Sequence, residues 1–225
     1  MKSLAGLHSG LICAALATVM GVLLLIFRVL YVMFRRGPGP ARMKAAKTLV
    51  VLGSGGHTAE MLMLLDSVDK AQYSPRSYVV AATDTMSGPK ALARERVWQE
   101  TDSPTGFRIH QIPRSREVGQ SYITSVATTL YSLVFAFGLV FKEVPDLVLV
   151  NGPGTCIPVC AAAFVYRVFG LAGTRVVYVE SIARTRRFSL SAKLLYHLRM
   201  ADLLFVQWEH LARTYPRALY AGRLY

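Results

Sequence analysis

The sequence has few acidic residues. It contains 13 Asp and Glu residues against 26 Lys and Arg residues, which gives a formal net charge of +13. This balance favours an anionic partner, such as a membrane surface, a phosphate-bearing substrate or a nucleic acid. Because no nucleic-acid-binding motif accompanies the charge, we expect no nucleic-acid partner and assign the charge to a position near a membrane.

Cysteine is also scarce. The three cysteines are an odd number, and no histidines lie at metal-binding spacing around them, so neither a disulfide framework nor a zinc site is indicated. We predict no bound metal and a reducing compartment. Cys156 and Cys160 lie one helical turn apart and are expected to be small buried residues.

Charge is absent from one long apolar segment at the N-terminus. Residues 3–27 carry no formal charge, and the apolar run continues to Phe34 with only Arg28 interrupting it. This length predicts a transmembrane helix, with a cleaved signal peptide as the alternative. Most of the nearby basic residues follow the run, so the body is expected on the cytosolic side. We divide the chain into an anchor (1–36), a basic linker (37–47) and one domain (48–225).

The domain alternates between strand-like and helix-like segments. The predicted strands are TLVVLG, SYVVAA, FRIHQI, DLVLVN, RVVYVE and LLFVQW, and the predicted helices cover residues 58–68, 88–100, 122–142, 156–169 and 190–200. This alternation indicates an α/β domain with a single Rossmann-like, doubly wound parallel sheet. The helix at 122–142 is apolar enough to be a second span or a membrane-surface helix. We predict a packing helix whose outer face touches lipid, because a second span would split the sheet.

The stretch VVLGSGGHTAEML joins the first strand to a helix. Gly53, Gly55 and Gly56 permit positive φ angles and close approach of a ligand to backbone N–H groups, with Ser54 among them. Thr58 is predicted to be the helix N-cap. The loop lacks the Lys of a Walker A motif and departs from G-x-G-x-x-G, so it indicates a phosphate or sugar site of another kind. A tight turn without ligand is the alternative.

Polar residues also follow the other strands. In a parallel sheet these loops meet in one crevice, so we expect a binding site formed with Asp84, Arg114, Arg116, Glu117, Asn151, Gly152, Gly154, Thr155, Glu180 and Ser181. Singly, Asp84 could cap a helix, the two arginines could be solvated and Glu117 could pair with either. The basic run that includes Arg184, Arg186 and Arg187 fits pyrophosphate binding or a membrane-facing rim equally well.

Long motifs then resemble one family. The segments VLGSGGHTAEML, IPRSREVGQSY, PDLVLVNGPGTCIPV, VVYVESIAR and YPRALYAGRLY are similar to the membrane-anchor subunit of the two-chain UDP-N-acetylglucosamine transferase of dolichol-linked oligosaccharide assembly. The resemblance covers nearly all of the chain after the anchor. It implies the acceptor-side half of a GT-B glycosyltransferase, inactive alone. A small cytosolic catalytic subunit then supplies the donor half and binds most of the UDP-N-acetylglucosamine, so this chain is expected to bind no cofactor.

The resemblance also implies a reaction and a location. N-acetylglucosamine is transferred, with inversion, to N-acetylglucosaminyl-diphosphodolichol on the cytosolic face of the endoplasmic reticulum membrane. The glycine loop would hold the acceptor, and Arg114 and Arg116 would neutralise its phosphates. His57 is the first candidate for the catalytic base, with Asp84, Glu117 and Glu180 as competitors.

The C-terminus ends in apolar and aromatic residues and is expected to be docked. In the family this end binds the catalytic subunit, which implies partner-binding roles for Tyr220, Gly222, Leu224 and Tyr225. Docking onto the chain's own sheet is the alternative. Two other functions remain open: a nucleotide-dependent oxidoreductase, whose glycine pattern this sequence lacks, and a membrane scaffold with no part in the chemistry.

Overall fold

The computed structural model describes residues 2–34, 44–101, 106–117, 119–152 and 154–225. The chain divides into two units, Met1–Gly37 and Pro38–Tyr225. The first unit contains helix α1 (Lys2–Phe34). Its segment Gly10–Phe34 is long and apolar enough to cross a membrane, a property that some core helices and signal sequences share. Residues 37–43 of the predicted linker lie outside the described residues.

The second unit is built on a single parallel sheet. Its strands are β1 (Thr48–Val51), β2 (Arg76–Ala81), β3 (Phe107–Ile112), β4 (Leu147–Val150), β5 (Arg175–Val179), β6 (Leu203–Val206) and β7 (Leu219–Tyr220). Their order in the sheet is β3-β2-β1-β4-β5-β6-β7, and every neighbouring pair is parallel. The doubly wound α/β prediction is confirmed. The short edge strand β7 was not predicted.

Helices cover both faces of this sheet. They are α2 (Gly56–Asp66), α3 (Ser87–Thr101), α4 (Tyr122–Glu143), α5 (Cys156–Val168), α6 (Leu190–His197) and α7 (Glu209–Thr214). Side chains of α4 to α7 share one core with the sheet, and α2, α3 and the C-terminal residues Leu224 and Tyr225 share the other. Cys156 and Cys160 are buried in the first core, as predicted. Burial raises the pKa of the Cys156 thiol to about 12, so it is a neutral core side chain.

Helix α4 packs on the domain along one side. Ala136, Leu139 and Val140 are buried in the core, and the Tyr166 hydroxyl of α5 donates to the Phe137 carbonyl at 3.0 Å. Its segment Ile123–Glu143 is also long and apolar enough to cross a membrane. The strand after α4, however, pairs in parallel with β1, so the strands on both sides of α4 belong to one sheet. The packing-helix prediction is confirmed. Contact of its outer face with lipid stays a prediction.

Candidate functional site

The strand order reverses between β1 and β4, the two central neighbours in the sheet. Helix α2 leaves β1 toward one face and α5 leaves β4 toward the other, which opens a crevice at the carboxyl ends of these strands. A cavity of about 970 Å³ lies there. The predicted site residues that line it are Gly53, Ser54, His57, Arg114, Arg116, Glu117, Gly152, Gly154 and Thr155.

The glycine turn after β1 starts the helix earlier than the sequence indicated. Gly55 is the N-cap of α2, with φ 65° and ψ −120°, a conformation that favours glycine. The prediction of Thr58 as N-cap is wrong. Its hydroxyl instead donates to the Gly53 carbonyl and lies 2.6 Å from Ser87 Oγ, which ties α2 to the end of β1 and to α3. The glycines tighten the turn, so the helix already begins at Gly56.

His57 lies at the start of α2 and lines the cavity. Its Nδ1 is 3.5 Å from Oε2 of Glu60, one turn further along the helix. Glu60 was missed by sequence reasoning, although it belongs to the quoted glycine motif and its i+3 spacing from His57 places both on one helix face.

Glu60 connects His57 to the loop after β5. Its Oε1 accepts hydrogen bonds from Ser181 Oγ at 2.8 Å and from the backbone N–H of Ile182 at 3.2 Å. Burial raises the pKa of Glu60, but the neighbouring His57 ring and the hydrogen bond from Ser181 outweigh it and leave the pKa below its ordinary value. Glu60 is therefore an anion that faces one nitrogen of His57.

Asn151 and Gly152 follow β4 and fix the other side of His57. The buried Asn151 amide donates from Nδ2 to the His57 carbonyl at 2.6 Å. Gly152 has φ 115°, and a Cβ at this position would lie 3.3 Å from His57 Cε1 and 3.2 Å from the Tyr178 hydroxyl. Only glycine lets the β4 loop pass this close to the imidazole.

Asp84 and Glu180 lie away from the cavity lining. Both oxygens of Asp84 are engaged at the start of α3, where Oδ1 accepts from the backbone N–H groups of Met86 and Ser87, and Oδ2 accepts from the Ser87 hydroxyl. Burial raises the pKa of Asp84, but these hydrogen bonds outweigh it and leave the pKa below its ordinary value. Glu180 is buried, and its carboxylate accepts from the Tyr178 hydroxyl and the backbone N–H groups of Ser181 and Ser189.

Arg114, Arg116 and Glu117 lie together in the loop after β3. Arg114 Nη1 is 3.6 Å from Glu117 Oε2, while Arg116 donates from Nε and Nη2 to the Gln120 carbonyl at 2.9 and 2.8 Å. Three further cations line the same cavity: Arg184, Arg187 and Lys193. Arg186 of the predicted basic run is not among the lining residues. Five cations and one carboxylate therefore surround the cavity, which suits a ligand with more than one negative charge.

The C-terminal residues are docked on the chain's own domain. The Leu224 N–H donates to Gln207 Oε1 at 2.9 Å, and the Tyr225 hydroxyl donates to the Glu180 carbonyl at 3.0 Å. Leu224 and Tyr225 pack against the core shared with α2 and α3. The last residue of the structure therefore touches the loop that holds Glu60. Tyr220, in β7, is exposed.

Solved structures with a comparable backbone are larger proteins. MurG of Acinetobacter baumannii matches with a TM-score of 0.48 and 16% identity, over 79% of this chain and 44% of that one. UDP-N-acetylglucosamine 2-epimerase from Rickettsia bellii matches with a TM-score of 0.48 and 14% identity, over 80% of this chain and 45% of that one. The chain spans less than half the length of either solved protein.

Curated relatives match over much more of their length. UDP-N-acetylglucosamine transferase subunit ALG14 of Rattus norvegicus is 46% identical over 211 residues, covering 92% of this chain and 96% of that protein. The subunit of the same name in Homo sapiens is 48% identical over 179 residues, covering 78% and 82%. A family model described as "Oligosaccharide biosynthesis protein Alg14 like" matches residues 48–224. The resemblance stated from the motifs is thus confirmed, and the chain belongs to the Alg14-like family of oligosaccharide biosynthesis proteins.

Proposed function

We propose that this chain is the membrane-anchored, acceptor-binding subunit of a two-chain UDP-N-acetylglucosamine transferase. One observation carries the proposal. A member of the Alg14-like family has, at the reversal point of its sheet, a cavity lined by a glycine turn, a histidine and five cations. Such a cavity suits a sugar diphosphate. The acceptor in this proposal is N-acetylglucosaminyl-diphosphodolichol, and the product carries a second N-acetylglucosamine.

The cations and the glycine turn hold the diphosphate in this proposal. Arg114, Arg116, Arg184, Arg187 and Lys193 neutralise its charge. The first N–H groups of α2, next to Gly55, lie at the positive end of the helix dipole, where an anion is stabilised.

His57 is the proposed catalytic base. Because Nδ1 faces the Glu60 carboxylate, Nε2 is the nitrogen that can accept a proton from the attacking acceptor hydroxyl. Glu60 then stabilises the imidazolium that forms. Asp84 and Glu180 are weaker candidates, since their carboxylates accept hydrogen bonds within the domain, whereas Glu117 lines the cavity and remains a competitor.

The donor half comes from a second chain in this proposal. The described body contains one α/β sheet, and a GT-B enzyme needs two facing domains. A small cytosolic catalytic subunit would bind UDP-N-acetylglucosamine, and α1 would hold the complex on the cytosolic face of the endoplasmic reticulum membrane. Neither chain would be active alone, and this chain would bind no cofactor.

The proposal is tested by transfer of labelled N-acetylglucosamine from its UDP sugar to a short-chain N-acetylglucosaminyl-diphospholipid. The reaction is run with this chain, with the small partner subunit and with both. We expect product with both chains only, with inverted anomeric configuration by NMR. Product with the partner alone would reduce this chain to a membrane scaffold, the alternative function.

A further inference from the structure

The cavity lining has an apolar part that neither the glycine turn nor the cations explain. It is formed by Val126 and Leu130 of α4, Ile157 of α5, and Leu190 and Leu194 of α6, which together we call the apolar groove. Val126 and Leu130 are each 58% exposed, Leu190 is 54% exposed and Leu194 is 38% exposed. Apolar side chains left open in one cavity mark a contact site for an apolar ligand.

The face of α4 toward the cavity is divided into two rows. Ser125 and Thr129 form a polar row, and the Thr129 hydroxyl donates to the Ser115 carbonyl at 3.1 Å, which ties the helix to the loop after β3. Val126 and Leu130 form the apolar row, one residue further along in each turn. The core of the domain uses a later part of α4, around Ala136 and Val140, so packing does not account for the apolar row.

Helix α6 places charge and apolar surface side by side. Lys193 lies between Leu190 and Leu194 in sequence, and all three line the cavity. Arg187, just before the helix, lines it as well. A water-soluble sugar phosphate needs only the cations. Cations and an apolar groove in one continuous cavity match an amphiphile with a phosphorylated head and a hydrocarbon chain.

We propose that the apolar groove binds the first isoprene units of a lipid chain whose diphosphate lies among the cations. The inference rests on the proposed function and assigns the acceptor's chain its own site on this subunit. Other residues of α4, such as Ile123 and Val134, are exposed by 86% and 68% but do not line the cavity. They lie on the outer surface of α4 and are separate from the groove.

The test compares two acceptors on the complete complex of this chain with its catalytic subunit, in one detergent. Both carry the same N-acetylglucosaminyl-diphosphate, one on a long isoprenoid chain and one on a chain shorter than a single isoprene unit. For Leu130→Ser and Leu194→Ser we expect the KM of the long-chain acceptor to rise about tenfold, as when one buried apolar side chain is lost. The KM of the short-chain acceptor and both kcat values should not change. Val134→Thr is the control, with no change for either acceptor.

Other outcomes overturn the inference. Equal changes for both acceptors would mean that the leucines only shape the head-group site, and no change would mean that the chain lies elsewhere. If the unmodified complex transfers to neither acceptor, the proposed function fails, and labelling by a photoreactive isoprenyl diphosphate then decides the groove alone. Label on α4 and α6 would support the groove, and label on other elements would contradict it.

Discussion

Glu60 is the residue through which three loops meet. Its carboxylate faces His57 on its own helix, Ser181 and Ile182 after β5, and Asn151 after β4, whose amide lies 3.5 Å away. Through these contacts Glu60 fixes the imidazole of His57, and Glu60 itself lies outside the cavity lining. Glu60 is thus a positioning residue, since it acts through His57 and does not line the cavity.

Replacing Glu60 tests this role. For Glu60→Gln we expect kcat of the complex to fall about tenfold or more, with a smaller change in KM, because the neutral amide stabilises the imidazolium less. Glu60→Asp should restore part of the rate. Glu100→Gln, an exposed residue of α3, is the matched control. An unchanged kcat in Glu60→Gln would remove Glu60 from the mechanism.

Gly152 is a second position that controls the site, because an added Cβ would press on the His57 ring. In Gly152→Ala the new Cβ meets His57 Cε1 and the Tyr178 hydroxyl at about 3.3 and 3.2 Å, with a strained φ of 115°. We expect a loss of stability of about 1–3 kcal/mol and a fall in kcat as His57 is displaced. Thermal unfolding and the transfer assay measure the two effects. In the control Gly173→Ala the added methyl meets nothing within 4 Å, so stability and kcat should stay unchanged. A normal kcat in Gly152→Ala would show that the position of the imidazole is not critical.

For single residues, the sequence indicates which side chains lie in the site better than it indicates their hydrogen-bond partners. The glycine turn, His57 and the arginines after β3 were predictable because strand ends of a parallel sheet share one edge. Glu60 was not, since its partners Ser181 and Ile182 come from a strand more than 100 residues later. The roles of Asp84 and Glu180 depend equally on backbone N–H groups that a sequence does not locate.

Helices α2 and α3 are joined by one carboxylate. Asp66, at the end of α2, accepts hydrogen bonds from Arg94 Nε and from Trp98 Nε1, each at 2.8 Å. Burial raises the pKa of Asp66, but the bonds from Arg94 and Trp98 lower it more, so its pKa in the folded state is below the ordinary value. The link therefore depends on pH.

The pH dependence of this link is predicted as follows. A carboxylate with a lowered folded pKa stabilises the fold above its unfolded pKa, about 3.9, and loses that contribution as pH falls through the folded value. The melting temperature of Asp66→Asn should thus lie below that of the unmodified chain at pH 6, and the difference should shrink below pH 4. Thermal unfolding of the full chain in detergent measures it. A difference that is constant from pH 6 to pH 3 would contradict the assignment.

Helices and strands were predictable where their pattern is long. The alternation of short strands rich in β-branched side chains with helices predicted six of the seven strands in the described residues. It also predicted five helices, with ends that agree within about three residues. β7, with two residues, and α7, with six, are too short for a periodic pattern to show. The predicted start of α2 was too late, because the positive φ of Gly55 could not be inferred from the sequence.

Across the whole domain, the two faces of the sheet are covered differently. Helices α4 to α7 pack on one face, while on the other face Leu224 and Tyr225 share a core with α2, α3, Leu149 and Val177. The C-terminal tail, Leu224 and Tyr225, thus packs against β4 and β5. A turn at Gly222, with φ 83°, separates the tail from β7. The tail and β7 can therefore have different roles, although both fall in the predicted partner-binding segment.

In the proposed complex, the exposed edge strand β7 is the part of this segment that is available to the partner subunit. Leu219 and Tyr220 are 42% and 43% exposed, and an edge strand offers unpaired backbone groups as well. We expect the double variant Leu219→Ser, Tyr220→Ser to lose most of the catalytic subunit on co-purification while its own melting temperature stays within a few degrees. Phe169→Ser, another exposed aromatic position, is the control and should retain the partner.

Tyr225→Phe addresses the docked tail on its own. It removes the hydrogen bond from the Tyr225 hydroxyl to the Glu180 carbonyl. The partner should therefore co-purify normally, while kcat falls because the loop that holds Glu60 is less firmly fixed. Release of the partner by Tyr225→Phe, with full retention by the β7 variant, would reverse the assignment. The docked residues would then have to leave their own core on binding, and complex formation would expose Leu149 and Val177 to hydrogen exchange.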